Sequence, residues 1–244
     1  MRVITAATIE YHAYLDALLE SARGICEVEV YDLGLGEHAK RLKARPVDLA
    51  PALLKMEEAH PKSPHSHPVP GRYAWKPMVI RQAMREHGSI LWVDAGVTFL
   101  RDAKPLFEEV EQRGFFAQNM WAANVGGSLC VYPRQKLGVT DAEAAKPAIS
   151  AGVVGIHSRW YYPLVCAWAR MAEEDLDLFL DHGDAPLGAH MGRHDQSLLQ
   201  VLVARLGLIP EKSALVSADR EHITDRTVVY HSRSDTGAWR DYRR

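Results

Sequence analysis

Residues 75–99, WKPMVIRQAMREHGSILWVDAGVTF, carry the strongest fold signal in the chain. Their first half predicts a helix, because Pro77 suits a first helical turn, apolar residues recur at helical spacing and Gly88 is a natural C-terminal stop. Residues 89–93 are short and apolar, which favours a strand covered on both faces, as in parallel sheets. The stretch therefore predicts a helix that leads into a core strand.

Asp94 follows that strand directly, in the sequence Asp94-Ala95-Gly96. The carboxyl ends of the strands in an open α/β sheet are where such sheets bind ligands, so Asp94 is a candidate binding residue. Asp and Gly are also ordinary turn residues. From the residues alone, a purely structural turn at Asp94 remains an equal alternative.

The composition is that of one globular domain. The chain has 244 residues, of which 47% are hydrophobic, enough for a substantial core. The formal net charge of -2 provides no overall basic field for a polyanion, so we expect no nucleic-acid partner. The cysteines Cys26, Cys130 and Cys166 show no paired spacing, which argues against a disulfide framework or a cysteine-rich zinc site.

Cysteine usage and apolar run lengths also bear on location. The start of the chain lacks the long apolar core of a signal peptide, and no run reaches the roughly 18 apolar residues that a membrane helix needs. We therefore expect a soluble, cytoplasmic protein without a transmembrane segment.

Strand-like and helix-like segments alternate in the N-terminal part. Residues 2–6 predict a strand, residues 11–23 a helix and residues 27–32 a second strand, which is βαβ order. The proline-rich segment 60–72 predicts a flexible surface loop, since it cannot sustain a helix or a central strand. Its histidines have no fixed metal geometry without a fourth ligand, so we favour a solvated loop. These histidines are His60, His65 and His67.

The alternation continues after Asp94. Residues 105–113 predict a helix and residues 115–118 a strand, whereas residues 119–127 show no regular pattern. Residues 150–157 are apolar with two glycines, which predicts a strand that a ligand or another backbone approaches closely.

The C-terminal part contains one strongly apolar helix and one short strand. Residues 197–206 predict the helix, and the polar sequence Arg193-His194-Asp195-Gln196 lies at its entrance. A role for Asp195 as only the N-cap of that helix stays open. Residues 227–230 predict the strand, which ends at His231.

The order of these motifs resembles that of the glycosyltransferases of the GT-A fold, in particular the glycogenin and lipopolysaccharide galactosyltransferase group. The matching elements are Val3-Ile4-Thr5-Ala6-Ala7-Thr8 with Tyr11, the strand that ends at Asp94, Ala151-Gly152-Val153, Asp195-Gln196 and His231. The elements Trp75-Lys76-Pro77, Asp94-Ala95-Gly96-Val97 and Arg193-His194-Asp195-Gln196-Ser197 are similar to a related branch of nucleotide-sugar transferase-like proteins. Each motif is short, and the resemblance lies in their order over residues 3–239.

The resemblance implies a single GT-A-like, Rossmann-like α/β domain over residues 1–244, with a mixed, mainly parallel central sheet flanked by helices. It also implies a hexosyltransferase-like enzyme of polysaccharide biosynthesis. Such an enzyme moves a sugar from a nucleoside diphosphate sugar, a UDP- or GDP-sugar, to a hydroxyl of a glycan or glycoconjugate acceptor.

The resemblance assigns the nucleotide and a metal ion to particular residues. The residues it implies for nucleoside contact are Thr5, Ala6, Ala7 and Tyr11. Asp94 matches the first acid of an Asp-x-Asp motif that holds Mn2+ or Mg2+ on the donor diphosphate, and His231 matches a late histidine that completes the coordination. Gly96 stands where the second acid belongs, so one oxygen ligand is missing and a metal-independent reaction stays an alternative.

The sugar and the leaving group are assigned in the same way. Asp195 and Gln196 match an Asp-Gln pair that faces the donor sugar and the acceptor, and Gly152 falls in the segment that lines the sugar pocket. The growing negative charge of the leaving diphosphate must be neutralised. We assign that task to Lys76 and Arg233, with or without a metal, and ordinary surface charge is an equal alternative for Arg233.

A second class of function stays open, a non-catalytic binding or assembly module of the same fold that lost its chemistry at Gly96. The polar residues Asp94, Asp195, Gln196 and His231 all remain, which favours an enzyme. A nucleotidyltransferase would need a glycine-rich basic phosphate loop after the first strand, and residues 5–12 contain neither glycine nor lysine.

Overall fold

The structure is a computed structural model that describes residues 1–58, 68–186, 194–208 and 213–231. Its strands are β1 (Arg2–Ala7), β2 (Val28–Asp32), β3 (Arg45–Pro46), β4 (Met56–Glu58), β5 (Pro68–Pro70), β6 (Ile90–Val93), β7 (Val97–Phe99), β8 (Phe115–Asn124), β9 (Pro147–Ile156), β10 (Val216–Ser217) and β11 (Val229–His231). Its helices are α1 (His12–Ala22), α2 (Glu37–Leu42), α3 (Pro51–Leu54), α4 (Trp75–His87), α5 (Lys104–Arg113), α6 (Val131–Lys136), α7 (Asp141–Ala144), α8 (Ala167–Glu174) and α9 (His194–Arg205).

The central sheet has the strand order β3-β2-β1-β6-β9-β8. The strands β3, β2, β1 and β6 are parallel to one another, and β9 runs antiparallel between β6 and β8. This is the mixed, mainly parallel sheet that the resemblance predicted. Because β1 and β6 are parallel neighbours, their carboxyl ends meet at one edge of the sheet.

Helices cover both faces of the sheet, and β6 contributes to the core on each side. Ile90 and Trp92 belong to a cluster with residues of α4, α8 and α9, whereas Leu91 and Val93 belong to a second cluster with residues of α1 and α5. All four side chains are fully buried, which explains why this strand is an unbroken apolar run. Among the described residues, no helix is both long and apolar enough to cross a membrane.

The prediction of an irregular segment over 119–127 was wrong, because β8 extends to Asn124. The irregularity lies in the pairing of β8 with β9, whose register shifts between Ala117 and Gln118. Ala117 lies opposite Val154, but the next residue, Gln118, lies opposite Ser150, so residues 151–153 of β9 fall outside the β8 ladder. A bulge of this kind depends on the partner strand and has no local sequence signature.

The prediction of a loop over 60–72 needs correction at its C-terminal end. Residues 68–70 form β5, which pairs antiparallel with β4 as a two-stranded sheet, and Gly71–Tyr73 forms a short 3-10 turn before α4. Residues 59–67 lie outside the described residues, and so do His60, His65 and His67, which were predicted to lie in a solvated loop.

A second, three-stranded sheet has the order β10-β11-β7 and brings the C-terminal part of the chain to Asp94. β7 begins just after the turn that follows β6, and β11 pairs antiparallel with it, so that His231 lies opposite Val97. This pairing carries His231 to the edge of the central sheet where β6 ends.

Gly155 is a sensitive position in the central sheet. It pairs with Leu91 of β6 and Phe116 of β8, and a Cβ there would overlap Val110 Cγ2 of α5. We predict that Gly155→Ala lowers the free energy of unfolding by about 1–3 kcal/mol, as overpacking does, measured by urea denaturation. Val110→Ala frees that space, so the cost of Gly155→Ala should shrink in the double variant. Strictly additive costs would contradict this account.

Candidate functional site

A cleft of about 450 Å3 opens at the carboxyl ends of β1 and β6. Its walls come from distant segments of the chain, including the end of β1, the start of α4, the turn after β6, the bulge of β9, the start of α9 and the end of β11. Ala6, Ala7 and Tyr11 line one end, as predicted. Thr5 is not on the wall, because its side chain is fully buried.

Asp94 is oriented by both its backbone and its carboxylate. Its N–H donates to Gly152 O at 2.8 Å, and its carbonyl accepts from Val97 N–H at 3.0 Å, which forms the turn. Its Oδ1 atom accepts from Lys76 Nζ and from the indole Nε1 of Trp92, both at 2.8 Å. The backbone of Asp94 therefore makes the turn while its carboxylate lies at the cleft, so the turn does not exclude the predicted ligand role.

Lys76 lies in the first turn of α4 and is only 4% exposed. Its ammonium donates to Ala151 O at 2.8 Å in addition to Asp94. It also lies 3.2 Å from Asp195 Oδ2, an ion pair whose alignment is poor for a hydrogen bond. The Nζ atom is 5.0 Å from the ring centroid of Trp92, which adds a cation–π contact. Lys76 thus joins α4, β6, β9 and α9 at one point.

The β9 bulge makes Ala151 available to these side chains. Outside the β8 ladder, its carbonyl accepts from Lys76 and its N–H donates to Gln196 Oε1 at 3.1 Å. Gln196 Nε2 in turn lies 3.4 Å from Met120 Sδ of β8. The irregular pairing of β9 therefore supplies the backbone groups that fix two predicted site residues, Lys76 and Gln196.

The buried carboxylate of Asp195 and the half-buried carboxylate of Asp94 share one buried ammonium, and this arrangement sets the direction of the pKa shifts of Lys76 and Asp195. Burial alone would lower the pKa of Lys76, but the charges of Asp195 and Asp94 outweigh it and the pKa is raised. Burial raises the pKa of the Asp195 carboxyl, and Asp94 raises it further, while Lys76 opposes the shift. Asp195 is therefore poised to take up a proton more readily than a free aspartate.

The sequence of α9 places Asp195 inside the helix. Because α9 begins at His194, Asp195 belongs to its first turn and is not its N-cap residue. His194 has a φ of 43°, in the left-handed region that non-glycine residues rarely adopt.

His231 and Asp94, which the resemblance assigns to one metal ion, lie close together. His231 Nε2 lies 3.9 Å from Asp94 Oδ2. The imidazole packs directly over Gly152, where a Cβ would overlap His231 Cε1, so only glycine leaves room for the ring. Bonds of about 2.1 Å from one ion can reach both atoms, so this donor pair fits a divalent cation that takes its other ligands from elsewhere. Gly96 also lines the cleft and offers no side-chain ligand.

A group of possible metal ligands outside the cleft does not form a better site. Glu29, Glu86 and His87 lie close together near the amino ends of β2 and β6. Arg45 lies between the two carboxylates, 3.1 Å from Glu29 Oε1 and 2.5 Å from Glu86 Oε2. The guanidinium already supplies the positive charge that a metal ion would bring.

The structure adds wall residues that the sequence analysis did not assign to the site. Tyr73, Trp75 and His194 line the cleft beside Lys76 and Asp195. The only sequence signal was their closeness in the chain to Lys76 and Asp195. Arg233, the predicted partner of Lys76, lies outside the described residues.

We predict that Asp195→Asn raises the melting temperature near pH 7, since one ammonium then faces one carboxylate. The folded-state pKa of Asp195 is raised, so its ionised form weakens the fold above that pKa. The advantage of the Asn variant should therefore shrink as the pH falls towards about 4, the ordinary range of aspartate. Thermal melting across this range checks it, with the exposed Asp225→Asn as control. A lower melting temperature of Asp195→Asn near neutral pH would contradict the prediction.

Solved structures with the same architecture are glycosyltransferases. The match to the galactosyltransferase LgtC spans 95% of this chain and 87% of LgtC, with 17% identity and a TM-score of 0.53. The match to mouse xyloside xylosyltransferase 1 spans 96% of this chain and 98% of that protein, with 14% identity and a TM-score of 0.56. The match to a glycosyltransferase involved in glycosylation of the major capsid of PBCV-1 spans 99% of this chain and 97% of that protein, with 12% identity and a TM-score of 0.51.

Sequence comparisons add nothing to this likeness, because no sequence-family model and no curated protein matches the chain. The structural likeness extends over nearly the whole chain at low identity, so it concerns the fold. It confirms the resemblance drawn from the order of short motifs. The chain has the fold of the GT-A glycosyltransferases.

Proposed function

We propose that the chain is a glycosyltransferase that moves a hexose from a nucleoside diphosphate sugar to a hydroxyl of a glycan or glycoconjugate. The observation that carries this proposal is the convergence of Asp94, His231, Asp195 and Gln196 on one cleft around the buried ammonium of Lys76. LgtC, which has the same fold, was solved in complex with donor and acceptor sugar analogs. The cleft, at about 450 Å3, is within the size range of small-molecule binding sites.

The nucleoside is proposed to lie at the end of β1. Ala6 and Ala7 are small, so a base and ribose can come close to the backbone there, and Tyr11 offers an aromatic wall. Leu33, which follows β2, lines the same end of the cleft.

The diphosphate is proposed to lie beside Asp94 and His231. With His194 and His231 neutral, the charged side chains of the described wall are one ammonium and two carboxylates, a formal charge of -1 that does not attract an anionic diphosphate. Mn2+ or Mg2+ held by Asp94 and His231 would supply positive charge to the leaving diphosphate. Lys76 is already paired with both carboxylates, so we now assign it mainly to holding Asp94 and Asp195 in place.

The transferred sugar is proposed to lie beside Asp195 and Gln196. The acceptor oxygen forms a bond to the anomeric carbon while the bond to the diphosphate oxygen breaks. The electron pair leaves with the diphosphate, and the hydroxyl proton passes to an oxygen of that departing diphosphate. Asp195 orients the sugar or the incoming hydroxyl, and its raised pKa suits a group that interacts with a hydroxyl proton. Gln196 is held by Ala151 N–H, which fixes its amide at the wall.

We predict that UDP or GDP, and their hexose conjugates, raise the melting temperature of the parent chain, because a ligand that binds only the folded state stabilises it.

We also predict that Asp94→Asn lowers donor turnover about a hundredfold or more while the fold is kept, since the carboxylate supplies charge to the leaving-group site. Turnover by Asp94→Asn at the parent rate would contradict the assignment. Binding of nucleotide sugar without any turnover would favour the non-catalytic module, for which Gly96 is the supporting observation.

We also predict that Mn2+ and nucleoside diphosphate bind together. Two protein ligands are too few for tight binding of a hard cation, so calorimetry should show weak Mn2+ affinity that rises when UDP or GDP is present. His231→Ala should remove this coupling, because alanine supplies no ligand. His222→Ala, at an exposed histidine outside the cleft, is the control. Full activity in excess chelator would show that the reaction needs no metal, and His231 would lose this role.

A further inference from the structure

Left-handed backbone is concentrated at one end of the cleft. In the described part of the chain, four non-glycine residues have positive φ angles, namely Lys43, Arg72, Tyr73 and His194. Lys43 ends α2, away from the cleft, where such a conformation is common at a helix C-terminus. The other three, with φ angles of 51°, 69° and 43°, come from two distant segments that meet beside Lys76 and Asp195.

The two aromatic members of this group contact each other. The rings of Tyr73 and His194 have centroids 5.0 Å apart and planes inclined by 32°, and both line the cleft. His194 is the residue before Asp195, and Tyr73 lies three positions before Lys76. The ring pair, which we call the Tyr73–His194 wall, therefore flanks the two charged side chains at the proposed sugar end.

Surrounding contacts hold this backbone in place. Arg72 pairs with Glu57 of β4 at 3.2 Å and with Asp177 at 2.8 Å, in the short 3-10 turn Leu176–Phe179. His194 Nδ1 lies 2.8 Å from Phe179 O in the same turn, so this nitrogen carries the proton and donates. Strained backbone persists only where the surroundings over-determine it, and it clusters at ligand sites.

Core packing buries only part of the wall. Tyr73 is partly buried at the edge of the apolar cluster, whereas His194 is 7% exposed, so the Tyr73 ring offers most of the open surface. Next to it, Trp75 is 9% exposed and also lines the cleft, so aromatic side chains form the wall beside Lys76 and Asp195.

We propose that the Tyr73–His194 wall is a stacking surface for a saccharide ring, whose apolar C–H face packs on the aromatic rings while its hydroxyl groups face Asp195 and Lys76. This inference rests on the proposed function and names the class of ligand at that end of the cleft. The ring is either that of the donor hexose or that of a saccharide acceptor, because both offer the same face.

Three variants separate ring stacking from backbone effects. Tyr73→Gly removes the ring and relieves the left-handed backbone, so the relief offsets part of the packing lost with the ring and the protein should still fold, which its melting curve checks. Tyr73→Phe keeps the ring and should rescue saccharide binding to within about twofold of the parent. Lys43→Gly relieves strain outside the cleft and should leave binding unchanged, which controls for a general effect of the relief.

The readout is calorimetry with UDP, GDP, their hexose conjugates and free lactose. For Tyr73→Gly we expect the affinity of the nucleoside diphosphate to stay at the parent value, while affinity for the saccharide falls about tenfold or more. If Tyr73→Gly binds a nucleoside diphosphate hexose no more tightly than the nucleoside diphosphate alone, the wall binds the donor sugar. Loss confined to lactose, measured with the nucleoside diphosphate present, assigns it to the acceptor.

The outcomes that overturn the inference differ from those that overturn the proposed function. If the parent binds nucleotide sugars or lactose and Tyr73→Gly binds every one of them equally well, the wall is structural and the proposed function stands. If Tyr73→Phe fails as badly as Tyr73→Gly, the ring face is not the binding group. If the parent binds neither nucleoside diphosphates nor their sugar conjugates, the proposed function itself fails.

Discussion

A buried ammonium needs acceptors, and in this chain that requirement falls on Lys76. Leaving its charge unpaired inside the protein would cost several kcal/mol, so segments far apart in sequence must supply partners at the same point. Asp94 comes from the end of β6, Ala151 from the bulge of β9 and Asp195 from the start of α9. The edge of the sheet, the register shift of β9 and the entry angle of α9 all depend on this one group.

The same arrangement is not one that stability alone would select. Two carboxylates on one ammonium leave a surplus negative charge in a poorly hydrated place, and the left-handed residues beside it add about 1–2 kcal/mol each. Natural chains keep such features where a site must be preorganised for a ligand. The cost is concentrated at the sugar end of the cleft, whereas the proposed nucleoside end, with Ala6 and Ala7, is conformationally ordinary.

The sequence predicted those parts of the site that depend on local pattern. The helix over Trp75–His87, the buried strand Ile90–Val93 and the strand-end position of Asp94 follow from periodicity and from one glycine stop. The register shift that frees Ala151 was missed, because it arises between two strands. The backbone of Tyr73 and His194 was missed too, since left-handed angles at aromatic residues are imposed by contacts with distant residues such as Asp177 and Phe179.

Charge balance changes the expected role of Lys76 and with it the case for a metal. From the sequence, Lys76 and Arg233 were expected to share the neutralisation of the diphosphate, with or without a metal. In the structure its charge is already matched by Asp94 and Asp195, so the described wall offers no net positive charge to an anionic donor. The missing acid at Gly96 argues against a metal. The charge balance of the described wall instead favours the proposed cation that enters with the donor, beside Asp94 Oδ2 and His231 Nε2, which lie 3.9 Å apart.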